Sequence, residues 1–129
     1  MKISFFTNSL HRWPIEKSFE VASKFGYDGI EIWGGRPHAY APDMRPEDIQ
    51  KIKDLSAKYN LPIVSFEPEM ACLLWRDQRW IDESMEYFRQ CIDFCKAIGC
   101  PYMVMAALQC SYEYSTDEDW AQFIKYMKE

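Results

Sequence analysis

Four short runs rich in β-branched and aromatic residues recur along the chain, at Lys2–Phe6, Asp28–Trp33, Leu61–Phe66 and Pro101–Ala107. Each is followed by a loop and a segment of helical periodicity. In the first segment Ile15, Phe19, Ala22 and Phe25 share one face after Pro14, which opens the helix where its missing N–H costs little, and Gly26 stops it. In the second, Ile49, Ile52, Leu55 and Tyr59 form a stripe behind Pro46, and Asn60 is placed to end the helix in a left-handed turn. The third helix is predicted over Ile81–Ile98 with Gly99 as its stop, and a fourth from Thr116 to Lys128. No two-residue hairpin signal occurs anywhere. A βαβαβαβα order with near-continuous apolar strands specifies a parallel sheet covered by helices. The fold class is therefore α/β, and the 129 residues form a single unit, residues 1–129.

Two architectures satisfy this order. One is a small doubly wound domain that is complete in itself. The other is the first half of an eight-stranded α/β barrel, which takes about 250 residues in full. In both, ligands meet the C-terminal ends of the strands, so the chemistry belongs to Thr7–Trp13, Gly34–Arg45, Glu67–Trp80 and Leu108–Ser115.

Composition removes several function classes. A net charge of −5 and scattered basic residues do not make a phosphate-backbone binder, so nucleic acid is excluded as the main partner. No apolar run approaches the roughly 18–20 residues of a membrane span, and "MKISFFTNSLHRW" lacks the layout of a secretory signal. The five cysteines, at 72, 91, 95, 100 and 110, do not form paired zinc knuckles. Cys91 and Cys95 lie one helical turn apart and read as buried core thiols, which suits a reducing cytoplasm.

The loop "TNSLHRW" has no glycine and cannot cradle a pyrophosphate; its His11 is either solvated or turned to a ligand. The loop after the second strand carries more chemistry. Alternation along Ile30-Glu31-Ile32-Trp33 places the isoleucines against the helices and Glu31 with Trp33 on the opposite, interior face. Glu31 there is either a structural hydrogen-bonding hub or part of a site. Gly34-Gly35 permits a sharp bend, Arg36 can fork onto an oxygen-rich group, and His38 can exchange a proton near neutral pH. The third loop supplies Glu67 and Glu69, able to accept hydroxyls or act as acid–base groups, with Leu73, Leu74, Trp75 and Trp80 as an apolar roof. Glu31, His38, Glu67 and Glu69 show no recognisable ligand spacing, so these residues specify no metal site.

The stretch "GYDGIEIWGGRPHAYAPD", Gly26–Asp43, resembles the N-terminal half of sugar phosphate isomerases and epimerases of the xylose-isomerase-like TIM-barrel superfamily. The likeness is strongest to the fructoselysine 3-epimerase group and extends through "LPIVSFEPE" and the helix from Asp82 to Gly99. It implies the N-terminal half of a (β/α)8 TIM barrel, and for the full-length relative an epimerase passing a proton through an enediolate with a divalent metal (Mn, Mg, Co, Ni or Zn). In that superfamily the metal ligands and catalytic carboxylates come from strands five to eight. No catalytic or metal residue, no bound metal and no activity are therefore expected of this stretch alone. The residues the resemblance carries over are a substrate-facing wall of Trp33, Arg36, His38 and Glu69, with Glu31 beneath. "MAALQCSYEYS" departs from the group's pattern. The implied partner is a small sugar or sugar derivative, and unpaired sheet edges predict a homo-oligomer. The other reading is a self-standing four-unit domain that binds a sugar or polyol without catalysis, as a dimer completing a barrel.

Overall fold

The computed structural model describes residues 1–69, 73–74, 77–105 and 116–129. Three strands, β1 (Ser4–Phe6), β2 (Gly29–Gly34) and β3 (Ile63–Pro68), form a parallel sheet in the order β1-β2-β3. Helices α1 (Ile15–Lys24), α2 (Pro46–Tyr59), α3 (Gln78–Ile98) and α4 (Asp117–Met127) alternate with them, and 3₁₀ turns at Thr7–Leu10 and Ala41–Asp43 follow β1 and β2. The sequential order β1-β2-β3 is that of half of an α/β barrel, one of the two architectures the βα alternation leaves open.

The fourth strand expected over Pro101–Ala107 is a single parallel bridge, Phe66 to Met103, among the described residues. The Phe66 N–H donates to the Tyr102 carbonyl at 3.0 Å, and the Val104 N–H donates to the Phe66 carbonyl at 2.8 Å. Met103 thus lies beside β3 where a fourth strand belongs. Pro101, having no N–H, can give nothing to a ladder, and residues 106 and 107 lie outside the described residues.

Pairing fixes the faces of the sheet. Glu31 pairs with Ser65, Ile32 with Phe66 and Trp33 with Glu67, while Ile30 pairs with Ile63. Val64 is therefore an extra residue in β3. This bulge puts Ile63 and Phe66, three apart, on the helix side, and turns Ser65 and Glu67 to the side of Glu31 and Trp33. Ile30, Ile32 and Phe66 are fully buried with Phe19 of α1, Ile52 of α2 and Phe94 of α3, each large apolar side chain contributing about 2 kcal/mol. A second cluster joins Leu73, Ile81, Met85 and Phe88 to Tyr126 of α4.

Three helix boundaries have clear local causes. Helix α3 starts at Gln78, before the expected Ile81, because the Asp77 carboxylate accepts from the Arg79 N–H at 2.9 Å. Helix α1 stops at Lys24, so Phe25 falls off the apolar stripe and is 71% exposed. The positive φ of Gly26 instead brings Tyr27 back against Phe5, edge to face at 5.3 Å. Asn60 adopts the left-handed conformation expected of it, with φ 51°.

Two glycines separate steric need from conformational need. A Cβ on Gly34 would stand 2.7 Å from Phe66 Cζ and 2.9 Å from the Glu67 carbonyl oxygen, whereas one on Gly26 meets nothing but sits at φ +74°. In urea unfolding, Gly34→Ala is expected to lose about 2–3 kcal/mol and Gly26→Ala about 1 kcal/mol. Equal losses would contradict the close packing of Phe66 beneath the loop.

Candidate functional site

The site is built at the C-terminal ends of β2 and β3, on the face turned from the helices. Trp33 is anchored through its backbone: its N–H donates to Thr7 Oγ1 at 2.8 Å, and Thr7 is fully buried at the end of β1. Gly35 comes next, and the space its side chain would fill is taken. A Cβ there would lie within 2.0 Å of Trp33 Cζ2 and 2.4 Å of Glu69 Oε2. The absent side chain lets the indole and the Glu69 carboxylate approach one another across the loop.

Glu69 is held from below. Its N–H donates to the Tyr87 hydroxyl of α3 at 2.8 Å. Tyr87 in turn stacks on Tyr40 with ring centroids 5.4 Å apart, and the Arg36 guanidinium lies over Tyr40 at 3.9 Å. The loops after β2 and β3 are thereby tied to α3 by one aromatic column. Burial raises the Tyr87 hydroxyl above its ordinary range, so it stays protonated.

Glu67 stands beside Trp33 in register and shares its face with Glu31. Burial, and then the neighbouring charges of Glu31 and Glu69, push its carboxyl above the usual range. Glu31, Trp33, Glu67 and Glu69 are all partly buried and form one wall: an aromatic plate edged by carboxylates.

Two of the expected wall residues lie elsewhere. His38 is only 4% exposed; its Nε2–H donates to the Trp13 carbonyl at 2.8 Å and its ring meets Trp33 edge-on at 5.8 Å. It backs the indole from behind. Burial lowers its pKa, against the opposing pull of the Trp13 and Leu10 carbonyls, and the ring is neutral. Arg36 is exposed and pairs with Asp43, Nη2 to Oδ1 at 2.9 Å and Nε to Oδ2. Both line a separate groove of about 590 Å³, bounded by Trp13, Glu16, Tyr40 and Lys51. His11 is exposed, edge-on to Trp33 at 6.2 Å, with Nδ1 on the Asn8 carbonyl. In the expected apolar roof, Leu73 and Leu74 are buried and Trp80 is 45% exposed on α3, while Trp75 and the loop Leu108–Ser115 lie outside the described residues.

Thr7 and Tyr87 position this wall without a motif to mark them. Thr7 is one of several polar residues in its loop, and Tyr87 looks like any aromatic residue inside a helix. Among the described residues, no three His, Cys, Asp or Glu side chains stand together as a metal group. The divalent metal implied by the resemblance finds no ligand set in them.

A family model described as xylose isomerase-like TIM barrel matches residues 19–129. The chain belongs to this family. Two curated relatives, fructoselysine 3-epimerases of Shigella flexneri and Escherichia coli O157:H7, are 36% and 35% identical over the whole of this chain. The chain spans about half the length of these relatives, 48% of each. A D-psicose 3-epimerase crystallised in the presence of D-fructose superposes with TM-score 0.77 at 13% identity, over 98% of this chain and 46% of that one. The apo form of a 3-keto-D-glucoside 4-epimerase from E. coli gives 0.75 at 15% identity, over 99% and 49%. These structures show the shared fold.

The raised Glu67 pKa has a consequence for stability. The folded chain holds the Glu67 proton more tightly than the unfolded chain, whose value is near 4.5. Ionised Glu67 therefore costs stability, a cost absent below the unfolded value and growing as pH rises through the folded one. Glu67→Gln is expected to raise the urea midpoint at pH 7 and to leave it unchanged near pH 4; a lower midpoint at pH 7 would contradict the crowded carboxylate wall.

Proposed function

We propose that this chain supplies the sugar-holding half of an epimerase that moves a proton on the carbon beside a ketose carbonyl, through an enediolate. The observation that carries the reading is the Trp33 plate beside the Glu67 and Glu69 carboxylates, at the strand ends where barrels of this kind hold their ligands. Fructoselysine 3-epimerases matched along the whole chain support it.

The geometry supports a role for each residue. The apolar face of a sugar ring lies against the Trp33 indole, whose backbone the Thr7 bond fixes and whose ring packs on His38. Glu69 and Glu67 accept hydrogen bonds from sugar hydroxyls, a directional contact that orients the ring. Glu31 lies lower on the same face, at the floor of the site. Arg36 reaches substrate only by leaving Asp43, so it acts at the rim, on an anionic or polar extension of the sugar. Transfer of the proton belongs to groups outside this wall, and the divalent metal of the whole enzyme is held by residues other than those described.

Deuterium exchange at carbon 3 tests this reading. In D2O with fructoselysine and manganese, the chain alone is expected to leave the C3 hydrogen untouched by NMR. Joined to the C-terminal half of the E. coli O157:H7 fructoselysine 3-epimerase, it is expected to exchange that hydrogen, and Trp33→Ala to raise KM about tenfold, or ~1.4 kcal/mol. Exchange by the chain alone would contradict the division of roles. A folded fusion without exchange would contradict the epimerase reading.

A further inference from the structure

The three described helix-to-strand junctions close in the same way. Gly26, Asn60 and Gly99 each take a positive φ. The following amide then returns to the carbonyl five residues back: Tyr27 to Ala22 at 3.0 Å, Leu61 to Ser56 at 3.0 Å, and Cys100 to Cys95 at 2.9 Å. Such a closure sets the side chain after the cap against the side chain five residues before it. At the third junction both side chains are thiols.

Cys95 and Cys100 are both free and buried, 7% and 9% exposed. The closure sets the Cys95 side chain beside Cys100, whose S–H donates to the Tyr102 carbonyl at 3.2 Å. The neighbouring Cys95 thiol holds Cys100 below the ordinary thiol range, while Cys100 and burial push Cys95 up. Cys91, one turn earlier and wholly buried, is pushed up to about 11 by burial. Of the three, Cys100 has the most thiolate character, and Cys95 is the sulfur set beside it.

We propose that Cys95 and Cys100 form an oxidation site that hydrogen peroxide converts to a disulfide across the end of α3. The Cys100 thiolate attacks one peroxide oxygen and the O–O bond breaks. The departing hydroxide takes a proton and leaves as water, and Cys100 becomes a sulfenic acid. The Cys95 sulfur then attacks Cys100 sulfur, the S–S bond forms and the S–O bond breaks. Hydroxide leaves with the Cys95 proton as a second water. Two thiols and one peroxide give one disulfide and two waters, the two electrons passing to peroxide. The bond fastens the last turn of α3 to the segment that carries Met103 to its bridge with Phe66.

Mass spectrometry after peroxide treatment tests the site, in a chain carrying C72S and C110S so that three thiols remain. Trypsin cuts after Lys96, between the two sulfurs, so a disulfide appears as a linked peptide pair, and fragmentation separates Cys91 from Cys95. The expected product is the Cys95–Cys100 pair, reversed by dithiothreitol, unchanged in C91A and reduced about tenfold or more in C95A and C100A. The unsubstituted pairing reads the result even where a core substitution fails to fold. A Cys91–Cys100 pair, over-oxidised Cys100 without a linkage, or unmodified thiols at peroxide levels that consume free glutathione would each overturn the proposal.

Discussion

Parallel pairing of β2 with β1, and with β3 across the bulge at Val64, decides the direction of every side chain that matters in this half-barrel. Ile30, Ile32 and Phe66 point into the helix layer and bury completely. The same alternation turns Glu31, Trp33 and Glu67 to the other face. The extra residue Val64 is essential to that result. Strict alternation from Ile63 would send Ser65 and Glu67 toward the helices, at the cost of a carboxylate among Phe19, Ile52 and Phe94. The bulge lets β3 begin and end its apolar contacts on the helix side while delivering Glu67 to Trp33.

Close approach at the strand ends then converts a sheet face into a site. Gly34 leaves room for the Phe66 ring below the loop, and Gly35 leaves room for the Trp33 indole and the Glu69 carboxylate above it. Neither space tolerates a methyl group. The aromatic column of Arg36, Tyr40 and Tyr87 holds the opposite side of the loop, so the wall is supported from both the sheet and α3.

Much of this is legible in residue order, and what is not depends on partners distant in the chain. The helix stripes, the Asn60 turn and the opposed faces of Ile30/Ile32 and Glu31/Trp33 follow from period and from left-handed propensity, which act within a few residues. The bulge at Val64, the anchoring Thr7 and the reach of Tyr87 to Glu69 depend on contacts 18 or more residues apart. No local pattern carries these. Arg36 and His38 show the same limit: their chemistry suggests ligand contact, but Asp43 and the Trp13 carbonyl occupy them first. Membership of the barrel family follows from the family match, and the likeness of "WGGRPHAYAPD" pointed the same way.

The central claim is that a sugar meets this chain on the Trp33 face of the sheet. Fluorine NMR of the chain labelled with 5-fluorotryptophan tests it, with Trp33→Phe assigning the resonance and fructoselysine as titrant. The Trp33 signal is expected to shift with saturation while that of Trp120, on α4, stays in place. A stationary Trp33 signal, or a shift confined to Trp120, would contradict it.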